Sequence, residues 1–597
     1  MKETSKASLR RSREPAFVQH YLVGDGLDIG VTDDPLSAHA HVFPRMGKAT
    51  AWAANKSDLS SMDGAADASF DFVHASHVLA QQNNPHKALA RWLDLVKPGG
   101  HVIVTVPDED LYGKGVWPSR FNGAHKASFT IYKAESTLPR SVNVLELVQA
   151  MSQVAECERI ALVRDNFDAT RADADQTADS YAECVIEIVL KKRAVATAHE
   201  MKHAMEHART AADGIAAAQA AVRVYPYRFD VYHRAMMQFL RWDAPEHADA
   251  MWKQCVERLP GEHLPRLDQA LHLIARGKLT EGFALRETVM GPFGWKRRTT
   301  VQPPHNVPEW KGESLSGKSI AIWSEFGLGD EIFFLRFAKI FREQCGAKRA
   351  VVVCQAPLVE LYEASLGADD VVNVQDAANM AGIDYWVFPH AIPVHLPLEL
   401  DALPRTVPYL RAPAAVASKL PDVAAGKLKV GVVFKGNPTH ENDANRSLPS
   451  LAVLNDLFAM DGIEFFSLQK GAGADEAARY ATERANFHDV GARLDTMAET
   501  ASAIAALDLV LTVDTSVAHV AGAMGKPVWL LLPAFGDWRW HYTREDSPWY
   551  PTMRLFRRRF GGDWAEVVAR IGGHLRFQLA AKASEAGSSE AAGTAIR

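Results

Sequence analysis

At 597 residues the chain is too long for one hydrophobic core, and a prior of roughly 150 residues per domain points to several. Its 47% apolar and 23% charged residues are those of globular domains, and no run approaches the ~20 apolar residues of a membrane span. A net charge of −6, from 66 basic and 72 acidic side chains, argues against nucleic-acid binding through a general basic field.

The start, "MKETSKASLRRSREPAF", lacks the apolar centre of a signal peptide, and residues 1–16 read as a polar tail. Five scattered cysteines (Cys157, Cys184, Cys255, Cys345, Cys354) show no metal-knuckle spacing and fit a reducing, cytoplasmic setting. From 17 to 193, short apolar runs ("GLDIGV", "FDFVHAS", "HVIVTVP", "AECVIEIVLKK") alternate with helical patterns, which predicts a largely parallel sheet covered by helices. "GDGLDIGV" and "SFDFVHASHVLAQQNNPHKALARWLDLVKPGGHVIVTVPD" resemble class I S-adenosylmethionine-dependent methyltransferases, and "DEDLYGKGVWPSRFNGAHKASFTIYK" is similar to a subgroup found near bacterial surface-glycan genes. The resemblance implies a Rossmann-like fold with a cofactor site at Gly26, Asp28 and Gly30. Three departures point to a degenerate site. Val31-Thr32 replaces the small pair after Gly30, "HVFPRMGKATAW" offers only Arg45 and Lys48 where an acidic residue should end the second strand, and Ala80-Gln81 replaces the usual acid and histidine. A structural or recognition module is therefore favoured over a working methyltransferase, and binding of S-adenosylmethionine is the weaker expectation.

Strand signals vanish between 194 and 300. "VRVYP" and "VERLP" end at Pro226 and Pro260, and each proline lies between helix-like segments, the punctuation of tetratricopeptide helix pairs. This predicts a short helical connector. From 301 to 412 and from 428 to 575 the α/β alternation returns in two halves, joined by "AAVASKLPDVAAGK", and the last residues (576–597) read as a disordered tail. Two such halves predict a cleft outside the carboxyl ends of their strands.

Four strand-end loops in these halves carry distinctive chemistry. In "SEFGLGDEIFFLRF", Gly327 and Gly329 allow close backbone approach and Asp330 opens a helix, either as a macrodipole-stabilised charge or as a base. In "VGVVFKGNPTHENDANRSLP", Lys435, Asn437 and Arg446 follow a buried strand and suit an anionic ligand, the alternative being a solvated loop. "FFSLQKG" ends a third strand with Gln469 and Lys470. In "LVLTVDTSVAHVAGAMGKPVWLLLP", Asp514, Thr515 and Ser516 turn a strand into a helix whose first N–H groups are free for an anion, and His519 lies one turn in, as packed core or as ligand. Arg557-Arg558-Arg559 reads as a solvated face.

"VDTSVAHVAGAMGKPVWLLLP" resembles the signature of glycosyltransferase family 9, the heptosyltransferase-like enzymes. The flanking "EWKGESLSGKSIAIWSEFGLGDEIFFLRF", "KGNPTHENDANRSLP" and "DWRWHYTREDSPWYPTMRLFRR" are similar to the catalytic half of bacterial tetratricopeptide-repeat glycosyltransferases. The resemblance implies a GT-B fold of two Rossmann-like domains, with the nucleotide sugar held mainly by the second. It places Asp330 as base for the acceptor hydroxyl, Lys435 and Arg446 near the donor phosphates, and Thr515, Ser516 and the Val517 amide at the diphosphate, beside Asp514 and His519. No metal or other cofactor is expected for the transfer. The expected function is transfer of a sugar from a nucleotide donor to a large acceptor, a protein such as flagellin or a surface-glycan intermediate. A bifunctional glycosyltransferase/methyltransferase and a non-catalytic scaffold are the alternatives.

Overall fold

The structure, a computed structural model, describes residues 2–30, 33–53, 59–171, 174–179, 181–242, 244–293, 298–396, 398–440 and 443–594. The Val31-Thr32 departure lies outside them. The chain divides into two compact units, Met1–Pro265 and Arg266–Arg597.

Unit 1 is built on six strands: β1 (Gly24–Ile29), β2 (Met46–Trp52), β3 (Phe70–Ser76), β4 (Val96–Pro107), β5 (Ala155–Val163) and β6 (Val185–Lys192). Their order is β2-β1-β3-β4-β6-β5, parallel except for β6, which runs antiparallel to both neighbours. The central strands are buried apolar runs, as a sheet covered on both faces requires. β5, not foreseen from the sequence, is an edge strand with a mostly exposed, charged first half.

The expected polar tail is instead a helix, α1 (Glu3–Arg11), with Thr4, Lys6, Ala7, Ser8 and Arg11 buried. Arg11 Nε donates to Glu187 Oε2 at 2.7 Å and its Nη1 lies 3.0 Å from His74 Nε2, while His74 Nδ1 lies 2.7 Å from Asp28 Oδ1. Arg10 adds a second guanidinium to Glu187 at 2.8 Å. A buried guanidinium is tolerated only with this degree of pairing.

The helical region is α2 (Ala198–Glu206), α3 (Ala211–Val224), α4 (Phe229–Arg241), α5 (Pro245–Arg258), α6 (His263–Ala275) and α7 (Leu279–Phe293). α3 and α5 start at 211 and 245, and α4 and α6 at 229 and 263, so both elements return after 34 residues. The small-residue positions repeat too: Gly214 is followed by Ala248 and Ala221 by Cys255, all buried where helices meet. This region is not a separate spacer. Tyr225, Val231, Tyr232 and Trp252 belong to one core with Trp92 and Leu93 of the unit 1 α/β layer, whereas Ala275, Leu279 and Phe283 join the core of unit 2.

Unit 2 contains two parallel sheets. β7 (Ser319–Ile322), β8 (Arg349–Cys354), β9 (Val371–Asn373) and β10 (Tyr385–Val387) form one, ordered β9-β8-β7-β10. β11 (Leu428–Val433), β12 (Ile463–Ser467), β13 (Phe487–Asp489), β14 (Leu509–Val513), β15 (Val528–Leu532) and β16 (Met553–Arg557) form the other, ordered β13-β12-β11-β14-β15-β16. In both, the strand order reverses beside the first strand, where open α/β sheets place their ligand crevices. The helices α8 (Leu328–Phe334) and α9 (Ser516–Ala523) start at those strand ends, after β7 and β14. This is the expected α/β architecture of two Rossmann-like domains, and residues 411–427 between them hold neither helix nor strand. The expected disordered tail at 576–597 is, through Thr594, the continuation of one helix, α10 (Trp564–Thr594), whose Ile571 and Leu575 are buried. Lys582 anchors it to Asp508 at 2.9 Å. Its alanine-rich sequence favours helix even where its polarity resembles a tail.

Candidate functional site

The site of unit 2 begins at the carboxyl end of β7. The chain leaves the strand at Trp323, passes through Phe326 in a left-handed conformation (φ 59°), and enters α8. A bulky residue in that conformation is strained. Gly327 is the helix N-cap, and its N–H donates to Asp330 Oδ2 at 3.1 Å, so Asp330 caps its own helix with one oxygen. On the other oxygen, Arg539 Nη2 donates to it and His390 Nε2 lies 3.8 Å away. Burial works against ionisation of Asp330, but Arg539 and His390 outweigh it and hold the carboxyl below its ordinary range. His390 is in turn fixed by its Nδ1, 2.8 Å from the fully buried Glu325, whose charge is shared with Arg298 at 2.6 Å.

The second side comes from β14. Asp514 follows the strand, Thr515 is the N-cap, and α9 begins at Ser516. Thr515 makes no side-chain cap bond, and the amides of Ser516 and Val517 lie in the first turn, where a helix supplies no acceptor of its own. Burial, followed by the charge of Asp537, pushes the Asp514 carboxyl upward against the pull of Arg539 and Arg446. His519 is buried, with Nδ1 2.9 Å from the Tyr550 hydroxyl and its ring stacked on Trp540. Burial and the nearby Arg539 bring its pKa down to about 3, so it is a neutral ring that packs the site. Its Nε2 still reaches within 3.9 Å of Asp514. At Gly329 a Cβ would sit 3.0 Å from His519 Cδ2, tighter than an ordinary contact, so glycine lets α8 and α9 approach without displacing that ring.

Arg539, to which the pattern of "DWRWHYT" assigns no role, is the centre of the arrangement. It is buried, bridges Asp330 and Asp537 (2.8 Å), and lies over the rings of Phe333 and Trp538. The Arg557-Arg558-Arg559 cluster is likewise not simply a solvated face. Arg557 Nη2 donates to the carbonyls of Trp540 and His541 at 2.9 and 2.8 Å and fixes the Arg539 segment from behind.

The remaining predicted residues divide by what they bond. Arg446 Nε pairs with Asp443 at 3.2 Å and contributes to the potential at Asp514. Lys435 follows β11 with its backbone N–H on Gln469 Oε1. Gln469 is buried, and its amide takes the N–H groups of Phe434 and Lys435 and donates to the carbonyls of Lys435, Lys470 and Ala472, so it clamps two loops together and has no face left for a ligand. Lys470 Nζ donates to the Leu494 carbonyl. Asn437 turns its own loop by accepting from Thr439.

In unit 1, a crevice of about 210 Å³ lies at the carboxyl ends of β1 and β3, lined by Asp28, Gly30, Asp33, Asp34, His77 and the first residues of α1. The three residues predicted for S-adenosylmethionine are engaged by the protein itself. A Cβ at Gly26 would enter the Phe72 ring at 2.1 Å, and Gly30 (φ 80°) lies against Val78. Asp28 is buried and accepts from the Leu36 N–H at 2.6 Å besides facing His74. β2 ends at Trp52, so Arg45 precedes the strand, Lys48 lies inside it, and no acid closes its described end. Among the described residues no group of three or more His, Cys, Asp and Glu is gathered as for a metal, and no helix is long and apolar enough to cross a membrane.

Residues 14–153 match the family described as "Methyltransferase domain". Protein FlbA of Caulobacter vibrioides is 27% identical over 401 residues, which cover 61% of this chain and 64%, less than two thirds, of that protein. Among solved structures, a glycosyl transferase family 9 protein from Veillonella parvula shares 14% identity over 41% of this chain and 87% of its own, with a TM-score of 0.29. A SAM-dependent methyltransferase from Thermotoga maritima shares 17% over 32% and 91%, with a TM-score of 0.20. The methyltransferase resemblance of the front part of the chain is found again in the family match.

Proposed function

We propose that unit 2 is a glycosyltransferase that moves a sugar from a nucleotide-sugar donor to a hydroxyl of a large acceptor, a protein such as flagellin or a surface-glycan intermediate, with no metal ion. The observation that carries this reading is the convergence of strand-end loops from two parallel sheets on Asp330, Arg539, Asp514 and His519. Asp330 serves as the base for the acceptor hydroxyl. The free amides at the start of α9, with Arg446 and Lys435, take the donor diphosphate and offset the charge that grows on it as it leaves. Held by Arg539, Asp330 is ionised but a weak base. A diphosphate that draws Arg539 away frees Oδ1 and raises its affinity for a proton, which links donor binding to base activation. Unit 1 acts in recognition, with methyl transfer lost.

A thermal-shift screen of nucleotide sugars on the full chain, followed by transfer assays, tests the reading. One donor should stabilise the protein, and Asp330→Asn should keep that stabilisation while losing about 10²–10⁴-fold in transfer. Unchanged transfer by a folded Asp330→Asn protein overturns the assignment.

A further inference from the structure

At the carboxyl end of β4, away from the crevice at β1, unit 1 holds a second, small cavity of about 20 Å³, lined by Asp108, Tyr112, Trp117, Ser119 and His125 among others. Asp108 and His125 are 1% and 7% exposed, yet Asp108 Oδ2 and His125 Nε2 have no hydrogen-bond partner among the described residues. Two orphaned polar atoms on one small cavity are costly, because buried polar groups are nearly always paired. The neighbouring carboxylate makes the contrast plain. Glu109 accepts from Lys133 at 2.8 Å, Ser136 at 3.1 Å and Ser141 at 2.5 Å and is saturated. Asp108 Oδ1 is also occupied, by the N–H groups of Asp110 and Leu111.

We propose that this cavity binds a hydroxyl group of a neutral saccharide, with Asp108 Oδ2 accepting from the hydroxyl, His125 Nε2 as its second partner, and the half-buried Trp117 carrying the apolar face of the sugar ring. The volume admits one water-sized group, which suits a single hydroxyl and excludes a phosphate. Burial lowers the His125 pKa to about 4 and raises that of Asp108, so the site offers no positive charge for an anion. Tyr112, edge-on to Phe121 and tilted on His125, gives the wall rigidity. The site lies in unit 1 and does not depend on the reading of unit 2.

The test is saturation-transfer NMR on the full chain with methyl glucoside, methyl galactoside, methyl mannoside and N-acetylglucosamine as probes. At least one should bind with a Kd on the order of millimolar. Asp108→Asn and Trp117→Leu should each weaken that binding at least about tenfold, with thermal unfolding showing that both variants fold. His125→Gln serves as the independent third variant if either fails to fold. Absence of binding by all four probes, or binding that survives in the folded variants, overturns the proposal.

Discussion

Asp514 carries a cost that its surroundings only partly offset. Its carboxyl is raised above the unfolded value near 3.8 by burial and by Asp537. A carboxyl raised by folding contributes stability below the unfolded value and loses it as pH rises through the folded one, each tenfold change in proton affinity being worth about 1.4 kcal/mol. Asp514→Asn should therefore be more stable than the natural chain at pH 7 and lose that advantage by pH 4, as read from denaturant midpoints at the two values. Equal pH dependence of the two proteins would show that Asp514 is not perturbed. The strand-to-helix turns that carry Asp330, Asp514 and the glycines were legible in the sequence because strand-end turns have a local signature. Arg539 was not, because its role depends on a carboxylate 209 positions away. Gln469 was legible as a strand end, but whether its amide meets a ligand or two loops is decided only by folding.

At the scale of elements, α1 shows how a polar sequence can be buried. Nothing local in "SLRRSRE" reveals that Arg11 lies against Glu187, 176 positions on. The pair is fully enclosed, and Arg11 and Arg10 outweigh burial to bring the Glu187 pKa to about 2. Its depressed value means that stabilisation is complete above the unfolded 4.5 and is lost as pH falls toward 2. Arg11→Met removes one partner of a buried carboxylate that keeps Arg10 and Arg159, and should cost about 1–3 kcal/mol. Adding Glu187→Gln should restore part of this, a recovery that chemical denaturation of the double variant measures. If Arg11→Met is neutral, α1 is not held through this network. The β5 strand escaped the sequence for a related reason: as an edge strand it keeps Glu156 and Glu158 in solvent and lacks the continuous apolar run that revealed the central strands.

At the scale of the molecule, the 34-residue helical period was legible but its division was not. Successive helix pairs look alike in sequence, and what separates them is the core each one completes. Helices through α5 share the core of Trp92 and Leu93, α7 packs with the sheets of unit 2, and the boundary falls inside α6 at Pro265. Each unit therefore has enough apolar interior to unfold as its own cooperative block, and two compact units in one chain do not behave as a single two-state system. Differential scanning calorimetry of the full chain should resolve two transitions. A donor bound only by unit 2 stabilises that unit by RT ln(1 + [L]/Kd), about 2.7 kcal/mol at a hundredfold excess over Kd, and should move one transition while leaving the other in place. Movement of both together would mean that the units unfold as one block, and the division of the helices between two cores would then not set the cooperativity of the chain.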